Sequence, residues 1–162
     1  MEIMESSSQT KSLIYDEIRK KWITATPEEL VRQSLLKKMM GELSFPRELI
    51  AVEKSLKEMP HLSHYHSLAL PSRRMDIVCF GKGIHPKFSL YPLLVIECKE
   101  DQKEAKSAMD QVMGYNHYLQ AYFVAVAHPG GVEVGYKDSH QYSFLSYLPS
   151  FQDLLQSVMR GH

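Results

Sequence analysis

The stretch PLLVIECKE (residues 92–100) begins apolar, from Leu93 to Ile96, and ends in charge. An apolar run of this length predicts a strand buried on both faces. Side chains alternate along a strand, so Glu97 and Lys99 project from one face and Cys98 from the other. A core strand that finishes with an acid and a base on the same face calls for a chemical reason.

The flanking sequence supplies the neighbours of this strand. Upstream, RRMDIVCF (73–80) predicts a second strand from Arg74 to Phe80, with Gly81-Lys82-Gly83 as the turn between the two. ELIAVEKSL (48–56) alternates Ile50 and Val52 with Ala51 and Glu53 and reads as the first strand. Downstream, Ala108, Val112, Tyr115 and Leu119 recur on one stripe and predict a helix over 103–119. AYFVAVA (121–127) is a fourth strand, apolar throughout and stopped by Pro129-Gly130-Gly131. Segments 132–136 and 142–147 predict a hairpin, and Pro149-Ser150 begins a short last helix carrying Phe151, Leu154, Leu155 and Val158.

Before the strands, Thr26-Pro27-Glu28-Glu29 is a helix start, with Thr as N-cap, Pro at the first helical position and acids in the first turn. That helix carries Val31, Leu35, Leu36 and Met39 on one face and ends near Gly41. The spacing of Leu13, Ile14 and Ile18 predicts a further helical start, and residues 1–12 read as a disordered N-terminus. Residues 13–162 are expected to form a single domain.

Composition narrows the classes. The chain has 162 residues, 44% hydrophobic and 23% charged, with formal net charge +0, so global charge points to no particular partner. No apolar run approaches the roughly 20 residues that cross a bilayer. The acidic, polar start is unlike a secretory signal. Two cysteines, Cys79 and Cys98, both within predicted strands, read as reduced core thiols of a cytoplasmic protein.

Asp76 lies among residues that favour burial. If the second and third strands pair, Asp76 and Glu97 converge, and two carboxylates in a low-dielectric place raise the pKa of one of them. A divalent cation relieves that repulsion, and Lys99 reaches the same spot. The alternative is bland: Glu97 and Lys99 as a solvated pair at a fraying strand end, with Asp76 an edge carboxylate. On these residues alone both readings stand.

In their order along the chain, TPEELVRQSLLKKMM, ELIAVEKSL, RRMDIVCF, PLLVIECKE, DQVMGYNHYL and AYFVAVA resemble the PD-(D/E)XK nuclease superfamily. Within it the sequence is most similar to the N-terminal nuclease-like domain of type I restriction enzyme R subunits, over about residues 20 to 136. The resemblance implies an α/β, restriction-endonuclease-like core: a helix, a three-stranded antiparallel meander, a helix and a fourth strand parallel to the third, here with a C-terminal hairpin and short helix. It implies Mg²⁺-dependent hydrolysis of DNA, with Mn²⁺ as a substitute. Asp76 and Glu97 match the metal-binding acids, the Cys98 carbonyl a further ligand, and Lys99 the catalytic lysine. Gln111 and Tyr115 match a Q-x-x-x-Y element that contacts phosphate, and Glu28 or Glu29 completes the site from the first helix, Glu28 being nearer the face of Val31 and Leu35.

Met75 stands where the superfamily's name implies Pro, although Arg74-Met75-Asp76 fits the Arg-x-Asp of the nearer branch. No P-loop pattern G-x-x-x-x-G-K-[ST] occurs in these residues. The chain therefore reads as a small stand-alone nuclease, possible also as a homodimer, or as a subunit whose protein partner supplies a motor or specificity function. A catalytically idle nucleic-acid-binding or assembly module of the same fold is the alternative. His61, His64 and His66 lack accompanying cysteines and read as loop histidines rather than a zinc site.

Overall fold

The computed structural model describes residues 3–5, 11–65 and 69–160. Its centre is a six-stranded sheet whose strands lie side by side in chain order, apart from a three-stranded sheet made by the first three strands near the N-terminus. Strands β4 (Ile50–Ser55), β5 (Arg74–Lys82) and β6 (Leu90–Cys98) form an antiparallel meander. Helix α2 (Ala105–Leu119) then crosses one face, and β7 (Phe123–His128) returns parallel to β6. The hairpin β8 (Gly131–Asp138) and β9 (Gln141–Leu145) extends the sheet antiparallel. Helices α1 (Pro27–Gly41) and α3 (Phe151–Arg160) cover the opposite face.

The layering follows from alternation along the strands. Ile77 and Cys79 of β5, with Leu94, Ile96 and Cys98 of β6, pack in one cluster with Leu35, Leu36 and Met39 of α1 and Leu154 and Val158 of α3. Val78, Phe80 and Val95 face the other way, against Val112, Tyr115 and Leu119 of α2. Strands covered on both faces must be apolar at every position, which is why β6 and β7 read as uninterrupted hydrophobic runs. Among the described residues no helix is long and apolar enough to cross a membrane.

The N-terminal expectations need correction. Ile3–Glu5 is a strand, β1, paired with β2 (Ser12–Asp16), which pairs in turn with β3 (Lys21–Thr24). Part of the segment expected to be disordered is thus in a sheet, while residues 1, 2 and 6–10 lie outside the described residues. The helical start at Leu13 is a strand instead. Asp16 stops it: its Oδ1 accepts from the Ile18 and Arg19 amides (2.8 and 2.9 Å), turning the chain back with Lys20 at φ 54°. Tyr15 and Trp22 then stack edge to face across the pair. The 13–14–18 spacing mimicked a helix because only two of those residues belong to the strand.

Smaller differences lie at element ends. Gly81 and Lys82 extend β5 and pair with Tyr91 and Leu90, so the turn starts at Gly83, in the left-handed region at φ 68°. Gly81 is needed as strand rather than as turn, since a Cβ there would stand 2.7 Å from Ile84 Cδ1. A 3-10 turn, Gln102–Glu104, precedes α2.

Candidate active site

The last regular pairs around β5 place the acids. Val52 stands opposite Ile77 and Ile77 opposite Ile96, so one step further Glu53, Asp76 and Glu97 lie in a row across three strands. The row is irregular. Glu53 adopts φ 56°, unusual for a residue within a strand. Met75 packs in the α2-side cluster although strict alternation from Ile77 would turn it the other way. Beyond Ile77 the β5–β6 ladder passes to a side chain: Asp76 Oδ2 accepts from the Cys98 amide at 2.7 Å. The strands fork there, and polar side chains gather at the fork.

Asp76 is deep enough in this fork for its carboxyl to be pushed up to about 6, first by burial and then by the charge of Glu97; the Cys98 amide and Arg32 oppose the shift. Glu97 is buried and heavily contacted. Arg73 Nη2 lies 2.5 Å from its Oε1, Lys99 Nζ is 3.8 Å from the same oxygen, and the Tyr115 hydroxyl donates to Oε2 at 3.3 Å. Burial and the Glu97 charge together push the Tyr115 hydroxyl well above its ordinary range, so it remains a donor. The Lys99 amide donates to the Ala127 carbonyl at 2.8 Å, tying the residue after β6 to β7.

Gln111 is exposed one turn before Tyr115 on α2. It meets Glu97 only through Arg73, whose Nη1 donates to Gln111 Oε1 at 3.0 Å. Arg73 also lies over the Tyr115 ring, with 5.8 Å from Cζ to the centroid. Cys98 contributes backbone at the fork, while its thiol packs in the core on the α1 side, where burial pushes its pKa well up.

The first helix presents Glu29 rather than Glu28. Glu28 is exposed, whereas Glu29 Oε1 lies 2.8 Å from Arg19 Nη2 and 3.4 Å from Arg32 Nη2. The preference for Glu28 followed the apolar stripe of Val31 and Leu35. The fork, however, faces the side of α1 carrying Arg32 and Gln33, both buried. Arg32 Nη2 also approaches Glu53 Oε1 at 2.6 Å and Asp76 Oδ1 at 3.4 Å. Neither Arg32 nor Glu53 stands out in the sequence, and Arg73 does so only as half of the basic pair Arg73-Arg74. The available signal was position: Arg32 is three residues after Glu29 on one helical face, and Glu53 precedes a strand end as Glu97 does.

Of the histidines, His61 is buried, its Nε2 2.7 Å from the Leu119 carbonyl and its ring against Tyr91, and burial lowers its pKa. His66 lies outside the described residues. Among those described, no group of three or more His, Cys, Asp or Glu stands ready to hold a metal ion. A groove of about 930 Å³ runs between α1 and the β7–β8 turn, lined in part by Lys37, Lys38, His128 and Glu100, the neighbour of Lys99.

A parallel-returning α/β sheet with acids and a lysine at a strand fork defines a class of protein, and comparison narrows it. The family model for the type I restriction enzyme R protein N terminus matches residues 27–149, and the chain belongs to that family. No curated protein matches the chain significantly. Neither does any solved structure.

Proposed function

We propose that the chain carries a restriction-endonuclease-like core and hydrolyses phosphodiester bonds in DNA. The observation that carries this reading is the fork itself: Asp76 and Glu97 one step beyond the Ile77–Ile96 pair, with Lys99 beside Glu97. Membership of the restriction R-protein N-terminal family supports it.

The donor set suits a hard divalent cation such as Mg²⁺, or Mn²⁺ in its place. Two carboxylates and the Cys98 carbonyl are oxygen donors, and the Asp76 carboxyl is raised by burial and then by the Glu97 charge, both of which a cation would offset. When bound, such an ion would supply positive charge for activating water and for polarising a phosphate oxygen. Asp76 and Glu97 would hold it. Lys99, kept close by Glu97, orients the attacking water or stabilises charge developing on the phosphate. Gln111, exposed on α2, and the Tyr115 hydroxyl position the scissile phosphate, while Glu29 steadies the α1 side through Arg32. Lys37 and Lys38 line the adjoining groove, beside Glu42 and Glu100, and would meet a nucleic-acid backbone there.

The test is incubation of the protein with single-stranded, duplex and branched DNA under Mg²⁺ or Mn²⁺. Cleavage is expected to fall by at least about a hundredfold in Asp76→Ala and in Lys99→Ala. Cleavage undiminished in both variants overturns the reading.

A second reading, a binding or assembly module without catalysis, is favoured by one observation. Arg73 and Arg32 already pair with the two acids from within the chain. DNA affinity that falls steeply with salt, without cleavage, supports this alternative.

A further inference from the structure

One nitrogen atom gathers three carboxylates from three different elements. Arg32 Nη2 lies 3.4 Å from Glu29 of α1, 2.6 Å from Glu53 of β4 and 3.4 Å from Asp76 of β5. Three oxygens converging on one positive atom is the arrangement expected around a bound cation, and here a side chain provides the charge. Arg32 is only 4% exposed. Its Nε and Nη1 are buried and have no hydrogen-bond partner among the described residues. Leaving buried donors unpaired is costly, so neutral hydrogen bonding does not explain why the guanidinium sits there. Its carboxylate neighbours hold it, and they raise its pKa, so it does not give way by losing a proton.

We propose that Arg32 is a resident counter-cation of the site, which keeps Glu29, Glu53 and Asp76 together and competes with a divalent ion for Asp76. The inference rests on the reading of Asp76 and Glu97 as metal-holding acids and adds a control on their affinity. Like charges near each other in a poorly solvated place repel strongly. A divalent ion therefore gains Asp76 only as the guanidinium withdraws from it towards Glu53 and Glu29. On this account Glu53 is a positioning residue: it retains Arg32, by the shortest of the three contacts, when Asp76 is taken.

Mn²⁺ binding to the full chain, measured by calorimetry with folding checked by circular dichroism, tests the proposal without relying on activity. Arg32→Met, neutral and of similar length, is expected to tighten Mn²⁺ binding by about tenfold or more, whereas Arg32→Lys, which keeps the charge, stays nearer the wild type. If Arg32→Met does not fold, Arg32→Met/Glu53→Gln removes one charge of each sign and is expected to tighten binding as well. A folded neutral variant that binds Mn²⁺ no more tightly than wild type overturns the proposal. Wild-type protein offers an independent readout. Mg²⁺ titration should shift the Arg32 Nε–Hε NMR resonance, assigned by its loss in Arg32→Lys, and a resonance that stays put while Mg²⁺ binds overturns the competition. If wild type and all variants bind neither ion, the metal-holding reading of Asp76 and Glu97 falls, and the competition with it.

Discussion

The two acids at the fork are held in opposite ways. On the α1 side, Asp76 shares the buried Arg32 with Glu53 and with Glu29, and Glu29 meets Arg19 as well. On the α2 side, Glu97 has cations to spare: Arg73 at 2.5 Å and Lys99 at 3.8 Å, with a tyrosine hydroxyl besides. The Asp76 carboxyl is raised first by its burial and then by the charge of Glu97, and Arg32 opposes the shift only in part. Exposure differs as well. The Arg32 side chain is 5% exposed and that of Arg73 is 37% exposed. An ion pair that water reaches is weak and easily exchanged, while a buried one is costly to break from one side.

The contrast can be broken most forcefully at Arg32. Arg32→Ala leaves Asp76 and Glu53 without their shared arginine while Glu29 keeps Arg19, and chemical denaturation in chelator-treated buffer should show a loss of about 3–5 kcal/mol. A loss under 1 kcal/mol would mean that the α1 side is as open as the α2 side.

Asp76→Asn should act in the other direction, with a middle-sized effect. The ordinary carboxyl value is 3.8 and the folded value about 6, so the folded state binds this proton more tightly than the unfolded chain does. Stability from this group is therefore complete below about pH 4 and is lost as pH rises towards 6. At about 1.4 kcal/mol per unit, and allowing for solvent relaxation, Asp76→Asn should stabilise the metal-free protein by roughly 2 kcal/mol at pH 7. Thermal melts from pH 4 to 7 should show the gain vanishing at the acid end. A gain independent of pH would mean that charge is not its cause.

The smallest effect is expected at Arg73. Arg73→Gln removes a partly exposed pair whose acid retains Lys99 and Tyr115, and the melt should shift by less than about 1 kcal/mol. A larger loss would erase the distinction between the two sides.

Much of the scaffold could be read because its signals are local. Thr26 and Pro27 mark the start of α1, and the Thr26 hydroxyl does accept from the Glu29 amide at 3.2 Å. The meander strands, α2 and β7 follow from periodicity within a few residues, as do the places of Asp76, Glu97 and Lys99 along them. In the N-terminal sheet one aspartate side chain, by capturing two amides, overrides an apparent helical spacing. At Glu53 nothing in ELIAVEKSL announces a left-handed backbone inside a strand.

Sequence alone determined that an acid precedes the apolar core of β5, that an acid and a lysine follow that of β6, and that Gln111 and Tyr115 share a face of α2. It did so because side-chain direction is set by the repeat of each element, two residues for a strand and 3.6 for a helix. Only the tertiary structure decided which cation each acid meets. Arg32 reaches Glu53 and Asp76 across 21 and 44 residues of chain, and Arg73 reaches Glu97 across 24. Those meetings depend on strand register, on the fork beyond Ile77 and on which side of α1 turns towards it. None of these is a property of a local stretch, since each arises from the packing of elements whose own patterns are satisfied before they meet.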